Sequence, residues 1–205
     1  MKAADYSRGR PGGAALVEAG YQAVLRYAAA GRDDVNIQAD EVRDLVSHGL
    51  EIGIVNERQA QYMLAGKDRG IQSAEGAAQV CREAGLPEGV IYFACDFDVT
   101  LGGPPVSQQA LANMAAVVDF LTGAASVIGE RNVGFYGSYY AAEWLLSQLP
   151  WLQWLWQTQA WSGRLRQPKA NLYQFGTQAS VNGVQVDVDD ILTSTWGQRG
   201  LVKSP

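Results

Sequence analysis

Short apolar runs alternate with helical segments over most of this 205-residue sequence, and that rhythm narrows the fold more than any other feature. Strands are predicted at Ala3–Tyr6, Tyr21–Tyr27, Glu51–Glu57, Gly89–Asp98 and Asn132–Ser138. Between and after them the spacing predicts helices near Ala14–Ala19, Asp40–Ser47, Ser73–Ala84, Ser107–Val127 and Tyr139–Gln148. The rhythm then changes, and Trp154–Trp161, Asn171–Gly176 and Val184–Leu192 read as three strands joined by loops. About five βα units followed by three strands with few helices predict an α/β fold, a small TIM-like barrel with a parallel sheet. At about 200 residues a (β/α)8 barrel is near its lower size limit, and losing the last helices lets it fit. Gly12-Gly13 and Gly102-Gly103 lack any phosphate-loop or dinucleotide context and read as turns. No linker composition divides the chain, so residues 1–196 are expected to form one barrel domain. The polar stretch 197–205 is expected to be a tail or the start of a linker to a further module.

Composition removes several chemistries. The chain carries 16 Lys+Arg against 21 Asp+Glu, a net charge of −5, and has no basic block, so a nucleic-acid partner has no footprint. Its one histidine, His48, stands at a predicted helix end and cannot by itself build a multi-histidine zinc site. Cys81 and Cys95 are too few and too far apart for a disulfide framework or a CxxC motif, and read as buried thiols. No run of roughly 18–20 apolar residues is read as a membrane span, and MKAADYSRGRPGG contains no apolar signal core. No cofactor is implied. Chemistry in such a chain falls to carboxylates.

Their positions are informative. Asp5, Glu57, Asp96, Asp98 and Asp187 stand at the ends of predicted strands, and a parallel barrel builds its active site at the C-terminal strand ends. Side chains alternate along a strand, so Asp96 and Asp98 share a face with Ala94 and Tyr92, whereas Ile91, Phe93, Cys95 and Phe97 take the helix-facing side. Glu57 shares its face with Val55 and Gly53. A lone aspartate at a strand end is commonly a turn former or helix cap. Acids at four strand ends suggest convergence, which raises at least one carboxyl pKa as glycosidic acid catalysis requires. A Mg²⁺ or Ca²⁺ site is the other chemistry such acids suit, although no metal site is expected here. Trp144, Trp151, Trp154, Trp156 and Trp161 fall within 18 residues, beside Tyr136. Such rings either fill the core or stack on sugar faces, and Trp156, Tyr136, Tyr92, Gln157 and Gln174 are the candidate sugar contacts.

The pieces AADYS (Ala3–Ser7), IGIVNE (Ile52–Glu57), IYFACDFD (Ile91–Asp98), VGFYGSYY (Val133–Tyr140) and LYQFGTQASVNGVQVDVDD (Leu172–Asp190) span nearly the whole chain. They resemble the lysozyme-type family 25 glycoside hydrolases. They are more similar still to a related glycoside-hydrolase-like domain of secreted actinobacterial proteins and phage endolysins. The resemblance implies a peptidoglycan-acting glycosidase in which Asp5 matches the first-strand acid, Asp96 and Asp98 the Asp-x-Glu pair, and Asp187 the last-strand acid. Where family 25 has its proposed general acid, this chain has Asp98, one methylene shorter. Either Asp98 serves a differently seated substrate, or Glu57 supplies the proton, or activity is lost; Glu57 as acid with Asp98 as partner is the expectation. The resemblance also implies a monomer acting on wall glycan strands outside the cell, either secreted or released as a phage endolysin. The alternatives are a non-catalytic wall-binding barrel and a metal-dependent phosphodiesterase or other hydrolase.

Overall fold

In the computed structural model, which describes residues 1–99 and 106–199, eight strands close into a barrel in chain order. They are β1 (Lys2–Asp5), β2 (Ala23–Tyr27), β3 (Glu51–Asn56), β4 (Ile91–Ala94), β5 (Val133–Gly137), β6 (Trp154–Thr158), β7 (Leu172–Val181) and β8 (Val184–Ile191). Five helices cover the outside: α1 (Gly13–Glu18), α2 (Ala39–Ser47), α3 (Gly66–Glu83), α4 (Gln108–Ile128) and α5 (Tyr139–Gln148). The predicted Gly102-Gly103 turn and the end of the predicted tail lie outside the described residues.

β1 to β7 are parallel, and β8 runs antiparallel to both β7 and β1. This corrects the expectation of a fully parallel sheet. Only Asn182 and Gly183 separate β7 from β8, too few residues for a parallel crossover. Their φ values of 48° and 78° are those of a tight hairpin turn, which favours an Asn-Gly pair. Consequently the mouth end of β8 is its N-terminal half, and Asp187 reaches the mouth from there.

The barrel has two apolar layers. Ala3, Ala23, Leu25, Val55, Tyr92, Trp156, Leu172 and Ile191 fill the interior, whereas Val24, Ile54, Phe93, Phe135 and Leu155 pack outward beneath the helices. Alternation along each strand produces this division. α3 and α4 approach backbone to backbone at Gly70 and Gly123, where an added Cβ would collide with the Phe120 and Lys67 carbonyls. Contrary to the sequence reading, α4 is long and apolar enough to cross a membrane; here Met114, Val117, Phe120 and Leu121 are buried against the rest of the barrel. His48 caps the C-terminal end of α2, and both cysteines are buried and free.

The floor is closed by Trp196, which is fully buried, donates its indole N–H to Glu51 and occupies the space left by Gly53. Tyr92 donates its hydroxyl hydrogen to the Trp196 carbonyl. The chain stays on the floor through Arg199, whose amide bonds Ile52 and whose guanidinium bonds the carbonyls of Pro87, Gly89 and Val90. Trp196→Ala would empty the floor, and its expected cost is about 3–5 kcal/mol. Urea unfolding checks this; a loss below about 1 kcal/mol would show that the floor does not depend on the indole.

Candidate functional site

The inward positions nearest the mouth are Asp5 on β1, Tyr27 on β2, Glu57 just past β3, Asp96 just past β4, Tyr136 on β5, Trp156 and Thr158 on β6, Gln174 on β7 and Asp187 on β8. With Val55, Ala160, Phe175, Gly176 and Gln178 they line one open cavity of about 520 Å³. Asp5 and Asp187 are direct partners across the antiparallel β1–β8 pair. The β7–β8 hairpin rises above the sheet as one wall. It is tied to the loop after β1 by the Asn182 amide, which donates to the Pro11 carbonyl, and by Val184 against Gly9.

A polar network fixes the acids. Gln174 donates to Asp5 at 3.1 Å while its carbonyl accepts from the Tyr136 hydroxyl at 2.7 Å and the Thr158 hydroxyl at 3.2 Å. Tyr27 donates to Glu57 at 3.3 Å, and Gln178 donates to Asp187 at 2.9 Å. Burial pushes the Asp5 carboxyl well above the usual carboxylate range, and the charges of Asp187 and Glu57 push it further. Glu57 is raised by burial and then by Asp96; Asp96 is raised by burial and then by Asp187. Crowded like charges in a low-dielectric cleft behave this way.

Thus Asp5, Glu57, Asp96 and Asp187 come together with Tyr136, Trp156 and Gln174. Asp98 does not line the cavity with them. β4 ends at Ala94, so strand alternation no longer controls position 98, and Asp98 is exposed. Gln157 is likewise corrected: it stands between the inward Trp156 and Thr158, and its buried amide bonds the backbone of Leu165 and Gln167. Tyr92 faces inward but lies at floor depth, bonded to Trp196. Of the tryptophan cluster, Trp144 on α5 and Trp151 pack partly buried against the outer apolar layer, Trp154 bonds the Arg131 carbonyl, and only Trp156 borders the cavity. Trp161 is 38% exposed on the loop that carries Ala160.

Sequence reasoning missed Tyr27, Thr158, Gln178 and Asp189. Asp189 shares the inward face of Asp187, and strand parity alone could have found it. It is fully buried below the cavity and accepts the Trp156 indole N–H at 2.8 Å. Burial and then the Asp5 charge push its carboxyl well up. As a metal centre the arrangement fits poorly: among the described residues no three carboxylate, histidine or cysteine side chains are grouped to hold an ion. Convergence without such grouping suits acid–base chemistry on a polar substrate.

The profile of the Rv2525c-like, glycoside hydrolase-like domain matches residues 14–191. The Tat-secreted protein Rv2525c of Mycobacterium tuberculosis, solved in complex with HEPES, is 27% identical and superposes with a TM-score of 0.82 over 96% of this chain and 98% of that one. The modular autolysin LytC of Streptococcus pneumoniae, solved with a synthetic peptidoglycan ligand, shares the fold at 14% identity and TM-score 0.60, over 92% of this chain and 46% of its own. GHIP, a glycosyl hydrolase 25 of the same organism, does so at 14% identity and TM-score 0.58, over 93% and 86%. No curated protein matches the sequence.

The raised carboxyls have a consequence for stability. Each holds its proton to higher pH when folded, so its contribution is fully present below the ordinary carboxylate value of about 4 and is lost as pH rises through the elevated value. Glu57→Gln imitates the protonated acid permanently. At pH 7 it is expected to be more stable than wild type by on the order of 1 kcal/mol, a gap that closes towards pH 4. Urea midpoints at the two pH values measure this; an equal gap at both would show that the ionised Glu57 is not disfavoured.

Proposed function

The chain belongs to the Rv2525c-like, glycoside hydrolase-like family, and from that premise we propose that it hydrolyses a glycosidic bond of bacterial peptidoglycan at the four-carboxylate mouth. The observation that carries the reading is Glu57: a carboxyl held towards its protonated form, fixed by Tyr27, opening into the same cavity as Asp96 and Asp187. A glycosidase needs this division between an acid that keeps its proton and carboxylates that stabilise positive charge.

In the proposed reaction the Glu57 carboxyl gives its proton to the glycosidic oxygen as the bond from that oxygen to the anomeric carbon breaks. The carbonyl oxygen of the substrate's own acetamido group attacks the anomeric carbon, and Asp96 accepts the acetamido N–H and stabilises the resulting cation. Water then adds to the anomeric carbon, giving its proton to the Glu57 carboxylate and releasing the acetamido group. Asp5 and Asp187 contribute negative potential below and beside the ring. Gln174 and Tyr136 supply polar edges for hydroxyl groups, and the exposed Trp161 ring offers a stacking face at the rim. Asp98, at the family's acid position, is not among the residues lining the cavity, and in this reading Glu57 at the end of β3 is the proton donor.

The kinship of the fold with LytC, which was solved with a peptidoglycan ligand, and with GHIP supports wall glycan as the substrate class. The Tat-secreted relative supports action outside the cytoplasmic membrane. The displaced Asp98 favours a second reading, a barrel that binds wall glycan without cutting it.

Incubation with purified peptidoglycan and mass spectrometry of the soluble fraction separates the two. Wild type is expected to release muropeptides, Glu57→Gln to lose roughly 10²–10⁴-fold in rate while still co-sedimenting with walls, and Asp98→Asn to keep most of the activity. If the wild type co-sediments but releases nothing from walls of several species, hydrolysis is refuted and the binding barrel stands.

A further inference from the structure

The antiparallel pairing of β1 with β8 sets Ala3 opposite Asp189 and Asp5 opposite Asp187. Asp5 and Asp189 are therefore diagonal neighbours on the inner face, with backbones about 7 Å apart. Both are closed to solvent, at 3% and 0% exposure. Each has one anchored oxygen, Asp5 Oδ2 receiving the Gln174 amide and Asp189 Oδ1 the Trp156 indole. The remaining two, Asp5 Oδ1 and Asp189 Oδ2, are buried and have no hydrogen-bond partner.

Burial, then Asp187 and Glu57, push the Asp5 carboxyl up more strongly than the Arg26 charge draws it down. Asp187 and Asp190 flank the pair from β8, Glu57 faces it from β3, and Tyr21 and Tyr27 adjoin from the β2 side. Arg26, the nearby positive charge, points outward and bonds Glu41 and the carbonyls of Tyr6 and Val35. Two ionised carboxylates with bare oxygens in so dry a place would be strongly disfavoured. One proton shared between the two bare oxygens would relieve both, the protonated oxygen donating to the ionised one.

We propose that Asp5 and Asp189 form a buried acid–carboxylate pair, one proton held between Asp5 Oδ1 and Asp189 Oδ2, with Asp189 acting as a positioning residue beneath the mouth. The pair carries one negative charge rather than two. With less charge beneath them, Glu57 and Asp96 can hold opposite protonation states, one acid and one carboxylate. Held at Oδ1, the Asp5 carboxyl is fixed in the orientation that presents Oδ2 to the Gln174 amide. This role in the mouth rests on the glycosidase reading; the existence of the pair does not.

The test is carbon-13 NMR of aspartate carboxyls assigned in the intact protein, titrated between about pH 4 and pH 9 and needing no substrate. At neutral pH the wild type is expected to show a protonated aspartate signal, with Asp5 and Asp189 titrating as a linked pair in two steps. In Asp189→Asn the amide oxygen still accepts from Trp156 and the amide nitrogen donates to Asp5 Oδ1, so the neutral-pH protonated signal should be lost. Both carboxyls ionised at pH 7, or a protonated signal unchanged in Asp189→Asn, would overturn the proposal. If that variant does not fold, the wild-type titration decides, because independent single-step curves for Asp5 and Asp189 also overturn it. A wall-lysis pH profile displaced in Asp189→Asn is the expected mark of positioning. Absent lysis in the wild type would count against the glycosidase while leaving the carboxyl titration readable.

Discussion

The site depends on how the barrel is closed. Seven parallel strands leave two unpaired edges, and β8 satisfies both by running antiparallel between β7 and β1. That one choice of direction sets Asp187 opposite Asp5 at the mouth and Asp189 one inward step below. It also stands the β7–β8 hairpin over the cavity as a wall, with Asn182 and Val184 tied to the loop after β1. Without the two-residue turn at Asn182-Gly183 there would be no antiparallel closure, and the last-strand acids would not meet the first-strand acid.

The two ends of the barrel divide stability from chemistry. At the floor Trp196, Tyr92 and Arg199 form a closed arrangement in which apolar area and backbone carbonyls are well used. At the mouth, burial and mutual repulsion raise Asp5, Glu57 and Asp96, and each ionised acid works against folding. A fold selected for stability alone would place amides there. Four carboxylates held on one cavity at that cost mark the mouth as the candidate functional site.

Much of this was legible in the sequence because strand alternation has a fixed period of two. Counting by twos from Val55 to Glu57, and from Ala94 to Asp96, places those acids on the inner face, where the structure has them. The same counting holds at Asp96, two residues past the end of β4, and fails at Asp98, four residues past it. Gln157 is excluded by the rule itself, standing between two inward residues. Tyr92 obeys the rule yet misses the mouth, because alternation gives the face and not the depth. Depth is set by the stagger between strands, which no single segment encodes. The direction of β8 was legible only from the shortness of its turn. Asp189 follows from the same count by twos, since it shares one face with Asp187 on β8.

In the proposed reaction Glu57 is the group that meets the scissile bond. A crystal structure of Glu57→Gln soaked with an N-acetylated wall glycan oligomer tests it most directly. The glycosidic oxygen is expected within about 3 Å of the residue-57 amide, with the acetamido group on the Asp96 side of the cavity. A glycan bound across the mouth with its linkages out of reach of residue 57, or bound elsewhere on the barrel, would contradict it.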